Sequence, residues 1–116
     1  IVICDRFIDS TIAYQVLGKA VKSSFIENIH REILGNSKPN LTFVLKVGIK
    51  KALKRLNQRK VKNRYDKFSK SFYIKAQNAF LKIANKNKKK YYILDNSSDS
   101  AEVEKKILNT VLKKLN

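Results

Sequence analysis

An acidic and a basic side chain stand next to each other near the start of the chain, directly ahead of a polar helical pattern. Asp5 and Arg6 follow the apolar run 1–4. The guanidinium of arginine is a planar fork that suits a phosphate group. A carboxylate beside it can hold a metal-bound water or orient the arginine. This pair therefore indicates a site for a phosphate and its metal.

Four further residues whose side chains can form hydrogen bonds follow within one short segment. They lie in pairs about one helical turn apart, Ser10 with Tyr14 and Thr11 with Gln15. On a helix, Thr11 and Gln15 share a polar face that could contact the edge of a base. Tyr14 could pack flat against a sugar, although ordinary core packing explains a tyrosine at this position equally simply.

The elements that must position these residues alternate between strands and helices. The patterns predict a buried strand over 1–4, a helix from about 9 to 17, and a second helix opened by the capping box Ser24–Glu27 and closed by Gly35. They then predict a strand over 41–47, a helix from 49 to about 56–59, a long helix through 72–84, a strand over 91–95 and a last helix. Asp99 is the expected cap of that helix. The spacing of its apolar residues predicts that the core is contacted by Val103, Ile107, Val111, Leu112 and Leu115.

This order, β-α-α-β-α-α-β-α, is typical of an α/β protein with a parallel β-sheet flanked by helices. Ligands of such sheets bind at the carboxyl ends of the strands. Asp5 and Arg6 are predicted to lie at that edge.

Composition restricts the class of protein further. The chain has 116 residues, which allows one domain or part of one, and a formal net charge of +17. Most of the basic residues are lysines, so solvated lysine faces are favoured over a nucleic-acid-binding surface. Cys4, the one cysteine, is expected to be buried in a reducing compartment, and no run is long enough to span a membrane. These features predict a cytoplasmic protein with no membrane partner.

The run 5–15, Asp-Arg-aromatic-x-x-Ser-Thr-x-Ala-Tyr-Gln, resembles the signature of the thymidylate kinase family. The resemblance continues through 38–42, 52–55, 63–66 and 94–97, and so spans nearly the whole chain. It departs from the family pattern at Lys46 and Asn63, which replace acids, and at Gln77, which replaces an arginine.

The resemblance implies a P-loop NTPase-like nucleotide kinase that transfers the γ-phosphoryl group of ATP to dTMP, giving dTDP, with Mg²⁺. It implies that Arg6 contacts the dTMP phosphate and that Asp5 lies near the magnesium, through water, and the transferred group. Thr11 and Gln15 border the thymine beside Ser10, and Tyr14 presses on the deoxyribose.

On the ATP side, the resemblance implies that Arg55 and the backbone near Asn96 flank the adenine. It also implies a lid at about 57–69 whose arginines, Arg59 and Arg64, reach the phosphates. For Arg59, a solvated basic loop is an equal alternative. Family members are commonly homodimers, so a homodimer is expected by analogy.

A phosphate-binding loop, G-x-x-x-x-G-K-(S/T), is missing from the sequence. In the family it precedes the Asp-Arg motif. We therefore expect residues 1–116 to be a single partial domain, the carboxyl-terminal part of a longer enzyme, and to be inactive alone. Three alternatives stay open: another nucleoside monophosphate or deoxynucleoside kinase, a basic nucleic-acid-binding module, and a non-catalytic remnant.

Overall fold

A computed structural model of the chain describes residues 1–61, 67–98 and 100–116. The first helix, α1 (Ile8–Thr11), continues without a break into a π-helical segment, Ile12–Leu17. The remaining elements follow in chain order: α2 (Ser23–Leu34), β1 (Thr42–Lys46), α3 (Ile49–Asn57), α4 (Lys70–Lys86), β2 (Tyr91–Asp95) and α5 (Ala101–Leu115).

The described residues form a two-stranded parallel sheet. Thr42 of β1 lies opposite Tyr91 of β2, and Lys46 lies opposite Asp95. Parallel strands need a long crossover connection, and here α3 and α4 supply it. The carboxyl ends of both strands meet at one edge, where the Asn96 N–H donates to the Lys46 carbonyl oxygen at 2.8 Å. The predicted α/β class with a parallel sheet is confirmed.

The first four residues do not form the buried strand that their composition predicted. Ile1 and Ile3 are 94% and 92% exposed, and Cys4 is exposed as well. A strand needs a neighbour that satisfies its backbone hydrogen-bonding groups. Within the described part of the chain, β1 and β2 pair only with each other. The predictions of a strand over 1–4 and of a buried Cys4 are therefore wrong for this structure.

The helix boundaries correct two further details. Lys22 is the N-cap of α2, and no described side chain caps that end. The Ser24–Glu27 capping box is therefore wrong, because the helix begins at Ser23 and Ser24 lies inside it. Gly35 ends α2 as predicted, with a φ of 51° in the left-handed region that glycine adopts readily.

The last helix has a less buried apolar face than its periodicity predicted. Val103 is buried, but Leu112 and Leu115 are exposed. The two strands of the described sheet are too few to cover the whole face of α5. The predicted cap, Asp99, lies outside the described residues.

Small side chains line the contact between the first helix and α4. Ala13 of the π-helical segment and Ala76 and Ala79 of α4 are buried, and the two elements pack against each other. Alanine lets two helix backbones approach closely. This packing brings Tyr14 against two aromatic residues of α4, Phe72 and Phe80.

Gly18 provides space at the same contact. A Cβ atom there would lie 2.6 Å from the Phe72 ring and 2.6 Å from the Tyr14 carbonyl oxygen. Its φ of −84° is open to any residue, so the requirement is for space rather than for backbone freedom. We expect Gly18→Ala to lower the free energy of unfolding by about 1–3 kcal/mol, as other overpacked sites do.

Urea unfolding checks this expectation, with Gly48→Ala as the matched control. A Cβ atom at Gly48 meets no described atom within 4 Å. Alanine at this position restricts the unfolded chain, and this stabilises the folded protein. Alanine is also a poorer N-cap for α3 than glycine, and this destabilises it. The control should stay close to neutral, and equal losses of stability in both variants would contradict the account.

Candidate active site

Arg6 and Tyr14, two of the candidate residues, are in direct contact. The Arg6 Nη1 donates to the Tyr14 hydroxyl at 3.2 Å. The Arg6 guanidinium carbon also lies 5.5 Å from the centre of the Tyr14 ring, within the range of a cation–π interaction. The structure therefore places Arg6, which is expected at the phosphate, in contact with Tyr14, which is expected at the sugar.

The backbone of Arg6 adopts an unusual conformation. Its φ is 65°, in the left-handed region that costs a non-glycine residue roughly 1–3 kcal/mol and is frequent at functional sites. Asp5 and Arg6 form a bend ahead of α1, and both are exposed. An exposed arginine and carboxylate in a fixed bend are accessible to a bound phosphate.

The other candidate residues of this segment lie on the helix that follows. Ser10 and Thr11 belong to α1, Gln15 lies in the π-helical segment, and all three are half-buried. A π-helix has a wider turn than an α-helix and is often found at functional sites. The sequence predicted a regular helix, and its composition offers no signal for the wider turn.

Tyr91 and Asp9 form a contact that the sequence analysis missed. The Tyr91 hydroxyl donates to Asp9 Oδ2 at 2.8 Å, across 82 residues of chain. Burial raises the pKa of Tyr91 from 10.0 to about 12, and the Asp9 carboxylate adds to the rise. The Thr42 side chain also hydrogen-bonds Tyr91 and lowers that pKa slightly. This contact ties the start of α1 to the first residue of β2.

The raised pKa of Tyr91 gives a testable dependence on pH. Because the folded-state pKa lies above the unfolded value, its contribution to stability is complete below pH 10 and is lost as the pH rises through about 12. Ultraviolet titration of tyrosinate should show a step near pH 12 that Tyr91→Phe removes and Tyr92→Phe retains. A step that survives in Tyr91→Phe would contradict the assignment.

Arg55 and the turn after β2 form a second cluster. The Arg55 Nη2 donates to the carbonyl oxygens of Asn96 and Ser97 at 3.1 and 3.4 Å. The Ser97 N–H donates to Asp95 Oδ1 at 2.8 Å. Hydrogen bonds from Ser97 hold the pKa of Asp95 below its usual value. The structure thus brings together Arg55 and Asn96, the two residues expected at the adenine, at the carboxyl edge of the sheet.

Comparison with known proteins identifies the family. The family model described as thymidylate kinase matches residues 1–107. The chain belongs to the thymidylate kinase family. A thymidylate kinase of Afipia carboxidovorans is 36% identical over 118 residues, which cover 98% of this chain and 51% of that protein. One from the Aster yellows witches'-broom phytoplasma is 38% identical over 117 residues, covering 99% and 55%.

A solved structure agrees with this assignment. The crystal structure of thymidylate kinase from Ehrlichia chaffeensis matches with a TM-score of 0.69 and 26% identity, covering 97% of this chain and 50% of that one. The chain spans about half the length of the curated relatives it matches. The thymidylate kinase fold thus supports the P-loop NTPase-like class that the sequence predicted.

The residues expected in the thymidylate kinase lid are only partly described. Arg59 is exposed beyond the end of α3, and its backbone N–H donates to the Leu56 carbonyl oxygen at 3.2 Å. Arg64 and Asn63 lie outside the described residues. Lys46 is exposed at the end of β1, and Gln77 is half-buried on α4.

Magnesium, which the family resemblance implies, calls for oxygen ligands. Among residues 1–61, 67–98 and 100–116, no three histidine, cysteine, aspartate or glutamate side chains form a cluster that could hold a metal ion. Mg²⁺ commonly uses one or two carboxylates together with water and substrate phosphates. The exposed carboxylate of Asp5 could take part in this kind of magnesium binding.

The described helices include none that is long and apolar enough to cross a membrane.

Proposed function

We propose that the complete natural protein containing residues 1–116 transfers the γ-phosphoryl group of ATP to dTMP, giving dTDP. The family match over residues 1–107 supports this proposal. The observation that carries it is the contact of Arg6 with Tyr14 at the start of the first helix. That contact holds the Arg6 guanidinium in an exposed position, where a nucleotide phosphate can bind it. The Asp5 carboxylate is its neighbour in the sequence.

On the dTMP side, Arg6 binds the phosphate and Tyr14 packs against the deoxyribose. Ser10, Thr11 and Gln15, on the helix that carries Tyr14, border the thymine. The arginine fork can donate two parallel hydrogen bonds to a phosphate. Residues on one helix keep their mutual spacing, which fixes the contacts to the base and the sugar. Arg6 lies in the bend ahead of that helix and is held to it by the Tyr14 hydroxyl.

On the ATP side, Arg55 and the backbone at Asn96 flank the adenine. Asp5 would hold Mg²⁺ through water, where the metal would supply positive charge to the phosphates. Residues 57–69 form the lid, and Arg59 and Arg64 approach the phosphates when it closes. Exclusion of water by the lid limits hydrolysis of ATP. Homodimerisation and a cytoplasmic location stay predictions from the sequence and the family resemblance.

A substrate panel tests this proposal against other nucleotide kinases. The complete natural protein is assayed for ADP release with ATP and either dTMP, dUMP, dCMP or thymidine. We expect the highest kcat/KM with dTMP. Preference for thymidine would favour a deoxynucleoside kinase, and preference for another monophosphate would overturn dTMP as the substrate.

A further inference from the structure

The Tyr14 ring is held by two aromatic rings of α4. Phe72 stacks on it with ring centres 5.6 Å apart and planes inclined by 28°. Phe80 meets it edge-on at 6.0 Å and 76°. Both arrangements are favoured geometries for aromatic pairs. A ring that contacts neighbours in two different orientations has little freedom to turn, so the position of its hydroxyl is fixed from α4.

The position of Tyr14 in turn affects Arg6. The guanidinium donates to the Tyr14 hydroxyl at 3.2 Å and lies 5.5 Å from the centre of its ring. Arg6 is otherwise exposed, in a left-handed backbone conformation. A long exposed side chain loses conformational freedom only where a neighbour holds it. Displacement of Tyr14 would therefore displace the Arg6 guanidinium.

Phe72 is itself fixed from several sides. Its backbone N–H donates to the Ser69 Oγ, which caps α4, at 3.2 Å. Its ring lies 4.3 Å from that of Phe68, centre to centre. Gly18 leaves the space that the ring fills, since a Cβ atom there would lie 2.6 Å from Phe72 Cε2. Phe68 and Ser69 are the last residues of the proposed lid, directly ahead of α4, and Gly18 lies outside the lid, so the place of Phe72 does not depend on Tyr14 alone.

We propose that Phe72 is a positioning residue of the nucleotide monophosphate site, which fixes Tyr14 and, through it, the Arg6 guanidinium. The inference rests on the proposed function, because its expected effect is on dTMP binding. Phe72 touches neither reacting atom nor phosphate in this scheme. Its loss should weaken the binding of dTMP and leave the binding of ATP unchanged.

The variant Phe72→Leu, made in the complete natural protein, tests this inference. It keeps an apolar side chain but removes the stacked ring. We expect the KM for dTMP to rise about 3- to 10-fold, which corresponds to the loss of one aromatic pair. The KM for ATP should not change. Phe43→Leu is the matched control, because it removes a ring that packs 5.8 Å from Tyr92 on the sheet.

The outcomes separate positioning from general destabilisation. Phe80→Leu removes the edge contact with Tyr14 and should raise the KM for dTMP in the same way. It replaces Phe72→Leu as the test if that variant fails to fold. An unchanged KM for dTMP in the folded Phe72 and Phe80 variants would overturn the inference. An equal rise in Phe43→Leu, or an equal rise in the KM for ATP, would overturn it as well.

A spectroscopic measurement keeps this inference separate from the proposed function. The centre of the Tyr14 ring lies 5.5 Å from the Arg6 guanidinium carbon, so nuclear Overhauser contacts between the two side chains in an NMR spectrum report their mutual placement. Phe72→Leu should weaken these contacts, and Phe43→Leu should not. If the wild-type protein forms no dTDP, the proposed function fails, and the NMR result still decides whether Phe72 positions Tyr14. Unchanged Tyr14–Arg6 contacts in Phe72→Leu would overturn the positioning role.

Discussion

Arg6→Ala is expected to lower the kcat/KM for dTMP phosphorylation by at least about 10²-fold, the loss typical of a key charged donor at a reacting group. Alanine removes the guanidinium that the structure holds against Tyr14. It thereby removes the positive charge that the proposed function places at the dTMP phosphate. The measurement is steady-state ADP release with varied dTMP in the complete natural protein.

Two comparison variants make this result specific. Arg31→Ala removes an exposed arginine from the last turn of α2 and should leave the rate unchanged. Arg6→Lys keeps the charge but loses the planar fork, so its rate should lie between those of the wild type and Arg6→Ala. Near-normal activity in Arg6→Ala would remove Arg6 from the site.

Arg55→Ala is expected to raise the KM for ATP by roughly 10-fold or more, since hydrogen bonds from charged groups contribute about 1.5–3 kcal/mol each. The Arg55 guanidinium holds the carbonyl oxygens of Asn96 and Ser97. Without it, the proposed adenine contact is lost and the turn that follows β2 loses its two hydrogen bonds from Arg55. Kinetics with varied ATP at saturating dTMP measure the effect.

Lys54→Ala provides the control for Arg55. Lys54 is its neighbour on α3 and is exposed, whereas Arg55 is half-buried. The control removes one positive charge from the same helix and should leave the KM for ATP unchanged. If Arg55→Ala raises the KM for dTMP and not that for ATP, the assignment of Arg55 to the adenine side is wrong.

Local sequence patterns predicted those elements whose stability depends on nearby residues. The strands β1 and β2 combine β-branched and aromatic residues between turn signals, and both formed within a residue of the expected limits at each end. The long helix α4 was located from apolar residues at helical spacing. Gly35 was assigned to the end of α2 because a left-handed C-cap favours glycine.

Predictions that depend on distant partners were less successful. Residues 1–4 have the composition of a buried strand, yet no described strand pairs with them, so they remain exposed. The same dependence explains the exposed Leu112 and Leu115, since periodicity gives the apolar face of a helix and not what covers it. A local pattern cannot contain the neighbour that completes the structure.

In the candidate site, too, contacts between residues close in sequence were predicted better than contacts between distant ones. Arg6 and Tyr14 are eight residues apart, and the motif places both near the start of one helix. Arg55 and Asn96 are 41 residues apart, and only the family resemblance associated them with one ligand. The Tyr91–Asp9 hydrogen bond and the ring contacts of Phe72 depend on tertiary packing, and no spacing in the sequence indicates them.

The most direct test of the central claim follows the transferred group itself. The complete natural protein is incubated with Mg²⁺, dTMP and ATP labelled in its γ-phosphate, and the nucleotides are then separated. The account predicts that the label appears in dTDP, in equal amount to the ADP formed. Label found only in inorganic phosphate, or retained in ATP, would contradict the proposal that this protein is a dTMP kinase.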